Sequence, residues 1–101
     1  MLIFNTTYIV STSIEHAWIA FIKKNHIPFM TNESVFSNPQ IAKIVGSTPD
    51  DGVSYSVQFQ ISDMDTLTKW HKSNAEEFQL SFQNAFANEV HFFSTVLEII
   101  E

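Results

Sequence analysis

The sequence predicts an α+β domain in which a four-stranded antiparallel sheet carries two helices on one face, in the order β-α-β-β-α-β. Three observations carry this expectation. Residues 53–61, VSYSVQFQI, alternate apolar and polar side chains throughout, the period of a strand buried on one side. Residues 14–22 and 63–87 place apolar side chains three and four apart, the period of helices with one buried stripe. The two ends, LIFNTTYIV and VHFFSTVLEII, are dense in β-branched and aromatic residues, which suit a pleated surface.

The elements follow in order. Over 2–10, Leu2, Phe4, Tyr8 and Val10 make one face and Ile3, Asn5, Thr7 and Ile9 the other; apolar residues on both sides fit a central strand. Thr12 and Glu15 have the spacing of a capping box, in which two side chains satisfy free backbone N–H groups reciprocally. Ile14, Ala17, Trp18, Phe21 and Ile22 form the buried stripe of the helix that follows. Lys23 and Lys24 suit its carbonyl end. Pro28 disfavours helical dihedrals at Ile27, so this helix is expected to end near Asn25 or His26, with a further short turn over PFMTNE.

Residues 34–45 contain Pro39, which cannot donate to a ladder, so a strand there lies at an edge or carries a bulge. GSTPDDG at 46–52 is the strongest turn signal. Asp63 caps a second helix whose inner stripe is Met64, Leu67, Trp70 and His71. Ser73 with Glu76 repeats the capping-box spacing and predicts a kink or restart, followed by Phe78, Phe82, Ala85 and Phe86 and closed by Asn88. The last strand sets His91, Phe93, Thr95, Leu97 and Ile99 against Phe92, Val96 and Ile100. This order is the ferredoxin-like split βαβ arrangement, spanning 1–101 as one domain. Its usual strand order, 4-1-3-2, puts the first and third strands in the centre, and right-handed crossovers put both helices on one side.

Composition limits function. The chain has no Cys, which excludes a disulfide scaffold, a thiol nucleophile and Cys-ligated metal. It has five Lys, no Arg and eleven acidic residues, for a formal charge of −6. Without guanidinium forks or a basic footprint, nucleic acid is not an expected partner. No apolar run reaches the length of a membrane span and no basic n-region precedes an apolar stretch, so a cytoplasmic protein without membrane association is expected. With only Gly46 and Gly52 there is no phosphate loop, and the four histidines show no metal-ligand spacing. No cofactor and no metal are expected.

The helix-free sheet face is expected to be mixed, with Ser54, Ser56, Gln58 and Gln60 from the third strand beside apolar residues of the first and last. Such a face indicates an interaction surface. Two copies packed through it would form a homodimer with a partly polar cleft, able to take a small-molecule or protein ligand. The groups that could do chemistry there are His26, His91, Ser56, Gln58 and Glu98. A histidine titrates near neutral pH and can shuttle protons; hydroxyl and amide groups can orient a substrate. Each has a structural explanation as well: His26 as a helix-end imidazole, His91 as a rim residue, Glu98 as an edge-protecting charge. His16 falls off the buried stripe, and His71 is expected to be buried beside Trp70.

WIAFIKKNHIP, GVSYSVQFQ and FFSTVLEII together resemble an uncharacterised family of about a hundred residues, found chiefly in Bacteroidota and known as a domain of unknown function. It looks related to the dimeric α/β-barrel group, which has the ferredoxin-like fold. The likeness covers nearly the whole chain. It falls on Trp18 and His26-Ile27-Pro28, on Tyr55, Ser56, Val57 and Gln58, and on Phe93, Thr95, Val96, Leu97 and Glu98. The family often carries arginine in the last strand; this chain has Lys69 and Lys72 in the second helix but no arginine, which weakens any role in binding anions. The wider group includes monooxygenases, isomerases and haem-degrading enzymes. The resemblance carries no activity over to this chain; the open sheet face leads to the expectation of a small non-catalytic homodimer binding a ligand or protein partner in the inter-sheet cleft. The alternative is a cofactor-free monooxygenase- or isomerase-like enzyme acting on a small apolar or aromatic substrate. A haem-handling protein would need His26 or His71 as axial ligand.

Overall fold

The computed structural model describes residues 1–32, 34–46, 52–86 and 89–101, with the backbone alone at 75 and 78–85. The Asp50–Asp51 pair, the centre of the turn at 46–52 and Asn88 lie outside the described residues. The chain runs through β1 (Leu2–Ser11), a 3-10 turn (Thr12–Ile14), α1 (Glu15–Phe21), a π turn (Ile22–His26), α2 (Ile27–Thr31), β2 (Ser37–Lys43), β3 (Gly52–Ile61), α3 (Met64–Phe86) and β4 (Val90–Glu98). The strands form one antiparallel sheet in the order β2-β3-β1-β4. This is the ferredoxin-like order read from the sequence, with β1 and β3 central.

Register divides the sheet into two faces. Phe4 pairs with Phe59 and Val96, Thr6 with Val57 and Ser94, and Tyr8 with Tyr55 and Phe92. These residues face the helices. Tyr8, Val10, Trp18, Ile22, Val57, Phe59 and Ile61 are all buried. Phe36, just before β2, is buried too and packs edge-on against Trp70 at 4.9 Å between ring centroids. Burying a side chain of this kind contributes roughly 1.5–3 kcal/mol. Aromatic content thus fills the space between sheet and helices.

Pro28 does not end the first helix. Ile27 keeps helical dihedrals (φ −61°, ψ −47°) and α2 continues to Thr31. A proline inside an α-helix lacks one N–H and crowds the carbonyl four residues back. Here a π turn at Ile22–His26 immediately precedes it, widening the helix where that crowding would fall. The π turn also corrects the phase. Four-residue steps in an α-helix drift by about 40° each, and one added residue removes most of the drift accumulated over three steps. Trp18, Ile22, His26 and Met30, each four apart, therefore all stay buried.

Other expectations are also revised. α3 is one continuous 23-residue helix. Ser73 does not restart it, and Asn74 donates Nδ2 to the Trp70 carbonyl at 3.0 Å within the same helix. Met64 and His71 are exposed rather than buried, while Leu67 is buried and Trp70 half-buried on the same stretch, because an open groove lies between that part of α3 and β4. The Thr12–Glu15 capping box does not form, since Glu15 binds elsewhere. Two readings hold in detail. β2 is an edge strand with a register shift between Ser37 and Gln40, flanking Pro39. Asp63 caps α3, its Oδ1 accepting the Thr66 backbone N–H at 2.8 Å. Replacing Asp63 by Ala is expected to lower stability through loss of this cap, read as a fall in the urea midpoint with an unchanged m-value.

Candidate functional site

The open face carries a polar ladder between the two central strands. Ser56 lies opposite Thr7 and Gln58 opposite Asn5. Gln58 Nε2 donates to Ser56 Oγ at 3.2 Å, Ser56 Oγ donates to Asn5 Oδ1 at 2.5 Å, and Asn5 Nδ2 donates to Thr7 Oγ1 at 3.3 Å. The chain of donors is directional and fixes the amide orientations. Apolar residues flank it: Ile3 and Ile9 from β1, Phe93 and Leu97 from β4. Phe93 is 56% exposed and Leu97 42%.

His91 is on this same face, opposite Ile9 and one residue pair beyond the end of the ladder. His26 is not. It lies across the sheet, buried among the rings of Tyr8 and Phe59, which meet it edge-on at 6.4 and 5.9 Å. Burial disfavours the imidazolium and holds the His26 pKa down at about 4. His26 is thus a neutral imidazole at physiological pH rather than a charged group at a helix end. Glu98 is not on the open face either. Opposite Leu2, it shares the helix-side row with Val96, because β4 pairs in the register that turns Phe93, Thr95 and Leu97 outward. The structure therefore joins Ser56 with Gln58, sets His91 nearby, and separates His26 and Glu98 from them.

Two adjoining clefts of about 210 Å³ each open between the first helical arm and α3. One is lined by Phe21, Asn25, His26, Phe29 and Glu77; the other shares Phe29 and Glu77 and reaches Asn32, Trp70 and Asn74. A third groove of about 300 Å³ lies between α3 and β4, with Phe4, Met64, Leu67, His71 and Val96 among its walls. Glu77 was legible in sequence only as a helix carboxylate; nothing in its spacing links it to His26.

A second cluster joins residues far apart in sequence. The Tyr55 hydroxyl donates a short hydrogen bond to Glu15 Oε2, and Lys43 Nζ stands 3.7 Å from the same oxygen. The Tyr55 bond is the main cause lowering the Glu15 pKa. Burial, then Glu15, pushes Tyr55 up to about 12. Tyr55 also packs against Trp18, the tilted rings 4.9 Å apart between centroids, so the cluster pins the start of α1 to β3. Among the described residues no group of three His, Asp or Glu converges as metal ligands, and no helix is long and apolar enough to cross a membrane.

A family profile described as a domain of unknown function, DUF4286, matches residues 1–100. No curated protein sequence matches. Among solved structures, a candidate antibiotic biosynthesis monooxygenase from Deinococcus radiodurans superposes with TM-score 0.67 at 12% identity, covering 100% of this chain and 94% of that one. An EthD-family protein from Bacillus halodurans gives 0.67 at 13%, covering 99% and 100%. A dimeric ferredoxin-like protein from an uncultured marine organism gives 0.63 at 10%, covering 98% and 95%. At these identities the likeness establishes the fold.

Because His26 titrates near 4 when folded and near 6.5 when unfolded, between those values the unfolded chain binds a proton that the folded chain does not. Its contribution is fully present above pH 6.5 and is lost as pH falls toward 4, at about 1.4 kcal/mol per pH unit. Urea unfolding from pH 4.5 to 7 is expected to show this slope, and His26→Gln is expected to flatten it. An unchanged slope in the variant would contradict the burial of a neutral His26.

Proposed function

We propose that this chain, which belongs to the DUF4286 family, is a small non-catalytic homodimer that pairs through its open sheet face and binds a ligand or protein segment in the cleft between the two sheets. The observation that carries the reading is the composition of that face. Phe93 and Leu97 are exposed beside half-buried Ile3 and Ile9, and they surround a ladder whose hydrogen bonds are made internally. A surface whose polar groups are paired in part among themselves and whose apolar ones are exposed loses less by desolvation, gains by burial and keeps hydrogen-bonding capacity for a ligand. The accessible surface of the chain, 6418 Å², also exceeds the roughly 5,800 Å² typical of a monomer of this mass.

A neighbour described as a dimeric ferredoxin-like protein supports a dimer. The ladder offers amide and hydroxyl groups without charge, so it suits a neutral, hydrogen-bonding ligand. The charge of −6 with no arginine argues against nucleic acid, and the protein is taken to work in a bacterial cytoplasm, away from membranes and without a cofactor. The alternative is a cofactor-free monooxygenase- or isomerase-like enzyme, the activity named for one neighbour, acting on a small apolar or aromatic substrate. That reading needs an imidazole beside Ser56 and Gln58. His26 is on the other side of the sheet and His91 lies past the ladder's end, so the binding reading is preferred.

Light scattering after size exclusion at micromolar concentration is expected to give twice the chain mass of 11.6 kDa. Phe93→Asp is expected to give a folded monomer with unchanged far-UV circular dichroism. A monomeric wild-type chain would overturn the proposal.

A further inference from the structure

The two clefts between the first helical arm and α3 stand apart from the open face, and their chemistry points to a ligand of their own. Each is smaller than the roughly 300 Å³ at the lower end of small-molecule pockets. Sharing Phe29 and Glu77, they join into a space that can take one ring and a short polar tail. The first is walled by Phe21, Phe29 and the neutral ring of His26. The second is bordered by Trp70, Asn32 and Asn74. Asn74 donates one amide N–H to the Trp70 carbonyl, which leaves its carbonyl oxygen and its second N–H for a ligand.

The sign of the site follows from what lines it. Glu77 is the charged residue common to both clefts, and no lysine is among their described lining residues. The stretch that follows it, FQLSFQNA at 78–85, contains no charged residue in sequence. A carboxylate beside aromatic faces such as Phe29 and Trp70 favours an ammonium group, through charge-assisted hydrogen bonding and cation–π attraction. An anion would meet the Glu77 carboxylate with no lysine among the described lining residues to offset it. The π turn at Ile22–His26 supplies Asn25 and His26 to the wall, and such turns occur frequently at functional sites.

We propose that these joined clefts form a binding site for a small aromatic amine, with its ring between Phe21, Phe29 and His26 and its ammonium group held by Glu77. The site is independent of the proposed dimer face. Nuclear magnetic resonance titration of the isotopically labelled protein with 2-phenylethylamine, 2-phenylethanol and phenylacetate tests it. Saturable shifts at Asn25, His26, Phe29 and Glu77 are expected with the amine, at an affinity about tenfold above that of the alcohol, and no saturable shift with phenylacetate. The exposed-site variant Glu77→Gln is expected to keep its spectrum and to lose the preference for amine over alcohol. Asn25→Trp, which fills the cleft, is expected to abolish both. Equal or tighter binding of phenylacetate, an amine preference that survives Glu77→Gln, or no saturation by the amine below about 10 mM would each overturn the proposal.

Discussion

Val53, Tyr55, Val57, Phe59 and Ile61 turn toward the helices because their strand alternates strictly, and this row fixes where every other layer can lie. Antiparallel register carries the alternation to β1, where Phe4, Thr6, Tyr8 and Val10 face the same way. It carries it on to β4, where Phe92 and Val96 do. Helices can then cover only that side. Ser54, Ser56, Gln58 and Gln60 are left on the other, together with whatever β1 and β4 contribute there. The aromatic core and the polar ladder are therefore two consequences of one pattern with a period of two.

The helix layer answers that constraint through a local departure from α geometry. A regular helix through Pro28 would rotate its apolar stripe away from the sheet over three turns. The π turn returns it, which puts His26 under the core aromatics instead of at a helix end. It also brings Asn25 and Phe29 to the cleft facing α3. Burial then makes the imidazole neutral, and of the His-Ile-Pro that carries the resemblance, His26 becomes part of the cleft wall. Tyr55 and Glu15 secure the start of the same arm, so both ends of the buried stripe are anchored to the sheet.

The parts legible in sequence were those set by local chemistry: the alternation of β3, the Asp63 cap, the edge placement forced by Pro39, and from these the strand order. The parts that were not legible depend on contacts across the chain. Proline rules describe an α-helix and do not foresee a π turn, so they put the end of the helix, with His26 at it, too early in the chain. Glu15 looked like a capping residue because Tyr55, forty residues away, is invisible to a local pattern. His71 and Met64 fit a helical stripe, yet they border an open groove between α3 and β4 instead of closing against the sheet. Glu98 depended on the register of β4, since a shift of one residue exchanges the two faces. Of the candidate site residues, Ser56 and Gln58 stand together as expected, while His26 and Glu98 face the other side.

The central claim is that the open face is covered by a second copy. Methyl relaxation by a soluble paramagnetic gadolinium chelate tests it most directly, because it reports side-chain exposure in solution. The account predicts that the methyl groups of Ile3, Ile9 and Leu97 are shielded from the chelate while that of Met64, 53% exposed on the opposite side, is strongly relaxed. Relaxation of Leu97 as strong as that of Met64 would contradict it.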